Sequence, residues 1–339
     1  MFFIYLSSLT IVIILLNYYL LKKQYLISET GDNHQKFASK TQIPLTGGIY
    51  IFFSFLYLCD MKEINLIVFL ILILFLGIIS DLKLIKSAKK RLLFQISIVL
   101  IFIILSDIQI NDTRVDLLDN ILFNPYINYF FVCFCVLIVI NGSNFLDGLN
   151  TLNIGYYLII SSLVTYLYLT NQIVLNENFF QNLIYILGLL YIFNFFNKIF
   201  LGDSGSYLLG SLFSILLINL YSDNSQISPF FIILLLWYPS YETLFSMIRK
   251  NILKRSPMKP DSNHLHQLIY FYLKNKFSKR VLFSNLITAN CINCYNLLVF
   301  FVASNFIVNT QIQIIFIILN LIVYTVIYFK LFIYRYKKL

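Results

Sequence analysis

The residues best suited to chemistry fall in five short polar segments of an otherwise apolar chain. Residues 141–152 read NGSNFLDGLNTL. In helical conformation Asn141, Asn144 and Asp147 are successive i, i+3 neighbours, so amide and carboxylate oxygens can converge on one polar cavity, with Gly148 one turn from Asn144. Residues 200–210 read FLGDSGSYLLG. Gly202 and Gly205 let backbone approach a ligand closely, and Asp203 stands beside the amides of a predicted helix N-terminus, which favours phosphate. A carboxylate there repels phosphate unless a cation lies between them. Asp203 is therefore a candidate magnesium ligand, since magnesium takes one or two carboxylates plus phosphate oxygens and keeps waters. Plain helix capping is the competing reading of both segments.

Residues 76–95, LGIISDLKLIKSAKKRLLFQ, end an apolar block on Asp81 and continue with Lys83, Lys86, Lys89, Lys90 and Arg91. Most of that charge run reads as an interfacial anchor, but Arg91, at the mouth of the next apolar block, has the planar fork that holds a diphosphate. Residues 40–48, KTQIPLTGG, form a Pro and Gly-Gly turn in which Lys40 either lines a substrate site or simply precedes the turn. Residues 261–268, DSNHLHQL, carry His264 and His266 with no third metal ligand nearby, so hydrogen bonding to an anionic substrate is favoured over a metal pair. Glu242, in YPSYETL, either braces that loop or packs as a neutral carboxyl.

The elements that must position these groups are membrane spans. Of 339 residues 59% are hydrophobic and 12% charged, and the mean hydropathy is +0.80. A soluble core cannot use that much apolar surface. The excess arrives in blocks long enough to cross a hydrocarbon layer about 30 Å thick as helix. These blocks predict an all-α, polytopic integral membrane protein of about eleven (10–11) transmembrane helices. They lie near 2–21, 47–58, 65–80, 92–106, 128–142, 153–170, 179–196, 204–221, 228–247, 281–304 and 312–334. The block at 2–21 lacks a basic start and a small-residue cleavage site, so it reads as a retained helix. No soluble domain or internal repeat separates the blocks; residues 1–339 read as one integral membrane domain, with a motif-bearing core at about 32–270 and C-terminal spans at 281–339.

Basic loops stay in the cytoplasm. With Met1 outside, only Lys62 and Arg114 of the 25 lysines and arginines fall on the outer side, and the five polar segments all face in. The net charge of +10 is then a topology signal that suits anionic headgroups and phosphates, with no call for nucleic acid. Cys59, Cys133, Cys135, Cys291 and Cys294 lie in or beside apolar segments and supply no full zinc set with the three histidines.

In this order the five segments resemble the polyprenyl-phosphate N-acetylhexosamine-1-phosphate transferases, over about Asp32 to His266. The resemblance implies transfer of a sugar 1-phosphate from a UDP-sugar to undecaprenyl phosphate with release of UMP. Such a reaction is the first membrane step of O-antigen, teichoic acid or peptidoglycan-type synthesis at a bacterial inner membrane. It implies magnesium, with manganese as the alternative ion, and leaves a homodimer open. By position, Asp203 matches the metal-binding aspartate and Asn144 an asparagine that joins it in some members. Asp147 falls on an acidic position of the same motif, and Asn150 on a position implicated in holding uracil. Lys40 and Arg91 match basic residues of the phosphate site, and His264 and His266 the H-x-H of the inner loop. The departure is Ser80-Asp81, where most relatives carry two adjacent aspartates. A lipid phosphate with a second pKa near 6 is already mostly dianionic at cytoplasmic pH, so the missing carboxylate does not exclude activity. A flippase or transporter for a lipid-linked sugar is the competing expectation; it explains spans and a polar cavity but not the Asp203 motif.

Overall fold

A computed structural model describes residues 1–28, 42–59, 63–175, 179–254, 262–276 and 281–337; Asp32 and Lys40 lie outside them. Every apolar block coincides with helix. In chain order these are α1 (Phe2–Lys23), α2 (Gly47–Leu56), α3 (Ile64–Asp81), α4 (Ala88–Leu105), the short α5 (Asp116–Leu122), α6 (Pro125–Leu146) and α7 (Leu152–Leu169). There follow α8 (Phe179–Phe195), α9 (Gly202–Asp223), α10 (Pro229–Leu235), α11 (Trp237–Ile252), α12 (Leu265–Lys276), α13 (Val281–Ser304) and α14 (Thr310–Lys337). Among the described residues, pairing of extended backbone is limited to the isolated bridge between Ile27 and Pro44. The chain is an all-helical, multi-pass membrane protein.

The expected count of about eleven spans is not reproduced by length and composition alone. Among the described residues seven helices are long and apolar enough to cross, and the α10–α11 pair, bent by 72°, raises this to eight. Helices α2 and α8 are shorter, and α4 opens on Lys89, Lys90 and Arg91, which leave only its later turns apolar. The bend in the block predicted at 228–247 falls at Leu236, between Ser228-Pro229, which caps and starts α10, and the Trp237–Ile252 helix.

Helix α9 is the axis of the fold. It is enclosed by α2, α3 and α6, and 89% of its apolar window is buried. One of its faces, with Tyr207, Leu208 and Leu212, joins the core of the α2–α4 and α6 side, where Phe69 and Phe102 stack at 4.1 Å. Another, with Leu209, Phe213 and Leu217, joins the core built with α7, α8 and the C-terminal helices. Its serines can be buried because Ser206 and Ser214 donate to the carbonyls of Gly202 and Gly210. Small residues let neighbours close in. A Cβ on Gly77 of α3 would stand 2.2 Å from the Ser204 Cα, so any larger residue at 77 would force α3 away from α9.

Connecting segments gather at two ends. At one, the strap before α2 is tied to the start of α9 by Phe200 N–H to Pro44 O (2.9 Å) and Gly47 N–H to Phe200 O (3.0 Å). At the other, Arg114 donates Nη1 to Val308 O and Thr310 Oγ1, both at 2.9 Å. Its Nη2 donates to the carbonyls of Gln226 and Ile227, also at 2.9 Å. This accounts for a basic residue on the side that is otherwise nearly free of them. Arg114→Ala leaves several carbonyls without a donor, and is expected to cost about 2 kcal/mol, read as a lower unfolding midpoint of the detergent-solubilised protein.

Candidate active site

Asp203, the second residue of α9, is the convergence point. Its Oδ1 accepts from Asn144 Nδ2 at 3.0 Å. Its Oδ2 accepts from the Ser80 hydroxyl and from Arg91 Nη1 at 2.8 Å, with the Tyr207 hydroxyl at 3.4 Å. Arg91 Nη1 also reaches Ser80 Oγ at 2.7 Å. Three helices thus meet on one carboxylate: the last turn of α3, the first turn of α4 and the last turn of α6. The Arg91–Asp203 pair stays partly open, with side chains 29% and 25% accessible, so a solvent-borne ligand can reach it.

Asp81 does different work. Its two carboxylate oxygens accept the backbone N–H of Asp203 (2.7 Å) and of Ser204 (3.1 Å). A residue at the end of α3 thereby caps the start of α9, satisfying amides that a helix leaves unpaired. The cap needs Gly202, whose φ is +70° and whose hypothetical Cβ would stand 2.7 Å from Asp81 Oδ2. Asp147, the residue after α6, faces the Gly202 amide and the Ser206 hydroxyl. Burial, followed by the charges of Asp203 and Asp81, pushes its pKa well above the usual carboxylate range.

The other expected site residues divide. Asn141 does not join Asn144 and Asp147: its Nδ2 donates to Leu137 O at 2.8 Å and to Gln95 Oε1 of α4 at 3.3 Å. The i, i+3 spacing fails there because α4 packs against that turn of α6 and claims the amide. Asn150 is buried in the bend before α7, where its Nδ2 donates to Asn194 O (3.0 Å) and Asn197 Oδ1 (2.5 Å). Its N–H donates to Asn285 Oδ1 at 2.9 Å. These bonds hold a bend whose next residue, Thr151, has φ +66°.

The histidine segment folds back onto the NGSNFLDG stretch. The His264 ring lies 4.6 Å from that of Phe145 and 5.7 Å from that of His266, nearly parallel to the latter. His266 Nε2 would stand 2.9 Å from a Cβ on Gly148. His266 is fully buried and neither ring nitrogen has a hydrogen-bond partner. Burial holds its pKa down to about 3, so the imidazole is neutral near neutral pH. Glu242 braces this loop: its Oε1 meets His264 Nδ1 at 2.8 Å and its Oε2 accepts from Tyr324 Oη at 2.8 Å. Tyr324 had no signal in the sequence, because it sits in a long apolar run that reads only as a span.

Magnesium can be tested against this donor set. Among the described residues no three His, Cys, Asp or Glu side chains gather as a metal cage. Asp203 and Asn144 instead form a two-residue oxygen edge once the Asn144 amide makes a half-turn to present Oδ1. One carboxylate and one amide oxygen, with substrate phosphate and water for the rest, fit magnesium's preference.

The alignment with known proteins follows these helices. The model of "Glycosyl transferase family 4" matches residues 63–221, the stretch that runs from α3 through α9 and holds Ser80, Asp81, Arg91, Asn144, Asp147 and Asp203. Over this stretch the chain is similar to glycosyl transferase family 4. The chain is similar to the "Probable undecaprenyl-phosphate N-acetylglucosaminyl 1-phosphate transferase" of Bacillus subtilis (strain 168). They are 31% identical over 218 residues, covering 62% of this chain and 60% of that protein. It is 25% identical over 245 residues to the "Undecaprenyl-phosphate alpha-N-acetylglucosaminyl 1-phosphate transferase" of Salmonella typhi, covering 67% and 65%. A shorter similarity, 35% over 71 residues, joins it to the protein of that name from Thermotoga maritima. The chain therefore spans less than two thirds of the length of each of these relatives. Glu242, His264, His266 and Tyr324 lie beyond the family match.

Proposed function

We propose that this chain transfers a sugar 1-phosphate of the N-acetylhexosamine type from a UDP-sugar to undecaprenyl phosphate and releases UMP, in cell-envelope glycan synthesis. The observation that carries the reading is the junction of Asp203, Asn144, Ser80 and Arg91 at the start of α9. It supplies oxygen ligands for a cation and a guanidinium within a few ångströms, which is the equipment for a diphosphate.

In this reading an oxygen of the lipid phosphate attacks the β-phosphorus of the donor. The bond from that phosphorus to the bridging oxygen breaks, and UMP leaves with the electron pair. Catalysis of this class is mostly positioning and charge neutralisation. Asp203 and Asn144 would hold magnesium, which supplies charge neutralisation on the diphosphate when bound. Arg91 spends Nη1 on Asp203 and Ser80 and turns the rest of its fork to phosphate oxygens. Asp81 fixes α9, and with it the direction of the Asp203 side chain. Asp147 keeps a second acidic group against the same turn.

Ser80 stands where a carboxylate was expected, and its hydroxyl bridges Arg91 and Asp203. A serine so placed is an orienting group, and the dianionic lipid phosphate attacks without a protein base. Ser80→Ala is accordingly expected to slow turnover only about five- to tenfold, the size of one hydrogen bond's contribution; a loss of a thousandfold would show that Ser80 takes part in the chemistry.

The direct test is UMP release from membranes that contain the protein, supplied with undecaprenyl phosphate, magnesium and a panel of UDP-N-acetylhexosamines. Release with one donor and not without the lipid is the expected outcome. No UMP with any donor would refute the proposal and return the flippase reading, which moves a finished lipid-linked sugar and releases no nucleotide.

A further inference from the structure

The C-terminal helices reach the site through a buried relay. Tyr324 of α14 donates its hydroxyl to Glu242 Oε2 at 2.8 Å, and Glu242 Oε1 meets His264 Nδ1 at 2.8 Å. Glu242 is 1% exposed, Tyr324 1% and His264 5%. A carboxylate so deeply buried is costly unless both oxygens are used, and here both are. The loop that carries His264 is further pinned by Arg335 of α14, whose Nη1 donates to Asn263 Oδ1 at 3.1 Å. The His264 ring, in turn, rests on Phe145, the residue after Asn144.

The geometry points to Glu242 and Tyr324 as positioning residues that fix the His264 imidazole with Nδ1 turned inward and Nε2 presented to the polar head of the nucleotide-sugar donor. This rests on the transferase reading above. The nitrogen of a histidine that meets a ligand is set by the hydrogen bond its other nitrogen makes. With Nδ1 on Glu242, the ring offers only its Nε2 edge. The His264 ring lies against Phe145 and its loop neighbour His266 against Gly148, in the stretch whose Asn144 contacts Asp203. Glu242 has no direct hydrogen bond to the Asp203 cluster, so its influence passes through His264. The relay also gives α11 and α14, which lie outside the family match, a share in donor binding.

Two measurements on the full-length, detergent-solubilised protein test this. The chain has three histidines, so selective ¹⁵N-histidine labelling gives a readable imidazole spectrum without any substrate. His264, assigned by His264→Asn, is expected to carry a proton on Nδ1, and Glu242→Gln is expected to change its ¹⁵N pattern. A ring protonated on Nε2 alone, or a pattern that ignores Glu242→Gln, overturns the relay. This readout does not depend on turnover, so an inactive wild-type protein would count against the transferase reading and leave the relay to be decided by the spectrum. In steady-state kinetics Glu242→Gln is expected to raise KM for the UDP-sugar about tenfold with kcat held within about twofold. Tyr324→Phe, which removes only the hydroxyl, is expected to raise it about threefold. In a His264→Ala background Glu242→Gln is expected to add nothing further. A full tenfold effect in that background overturns the proposal, as does a fall in kcat with KM unchanged.

Discussion

Asp203→Asn is expected to lower UMP release about a thousandfold with little change in fold. Asparagine keeps the volume; its oxygen can accept from Arg91 and Ser80 while its amide nitrogen donates to the Asn144 oxygen once that amide makes a half-turn, so the junction at the start of α9 should persist. What disappears is the negative oxygen that would hold a divalent cation against the donor diphosphate, and electrostatic groups of this kind contribute factors of about 10²–10³ or more in a partly closed site. The substitution should also abolish the rise of activity with added magnesium. Chelation of divalent ions should reduce the wild-type protein to the level of the variant, and manganese should restore part of it. Activity within tenfold of wild type would remove Asp203 from the centre of the site and with it the metal assignment.

The second large effect is expected from a residue that touches no substrate. Gly202→Ala places a Cβ 2.7 Å and 2.9 Å from the two oxygens of Asp81, on a backbone with φ +70°. A left-handed conformation costs a residue with a Cβ about 1–2 kcal/mol, and the overlap adds to it. Asp81 must then leave the amides of Asp203 and Ser204, so the first turn of α9 loses its cap and Asp203 its direction. Turnover is expected to fall about a hundredfold or more, and the unfolding midpoint should drop. Gly188→Ala is the control, because a Cβ at Gly188 meets nothing within 4 Å. If both variants behave alike, the cap between α3 and α9 is not what aims Asp203. A complementary loss in Asp81→Asn, whose amide nitrogen would face one of those donors, would support the same account.

Much of this was legible in the order of residues. The apolar blocks are visible because a hydrocarbon layer demands long runs without charge, and every block became helix. The polar segments at 80–91, 141–152 and 200–210 stood out because amides and carboxylates are expensive beside such runs. Their meeting at Asp203 was expected from shared sidedness. Asn141 was misjudged, since helical spacing says which residues share a face but not which neighbour packs on that face. The number of crossings was also less readable, because α2, α4 and α8 are short in apolar length and α10–α11 bends.

By itself, then, the sequence determined a multi-pass helical protein with one basic side and a set of polar residues at the ends of its spans. Periodicity, hydropathy and charge are local properties, and local properties suffice for that. The tertiary structure decided the division of labour among those residues. Asp81 and Asp203 both stood out in the sequence as carboxylates at the ends of apolar blocks, yet one caps α9 and the other faces Arg91 and Asn144, because α3 ends opposite free amides only after it packs against α9. Tyr324 entered the site for the same reason: its hydroxyl finds Glu242 across 82 residues of chain, a contact that no local pattern encodes and only packing of α14 on the rest of the bundle creates.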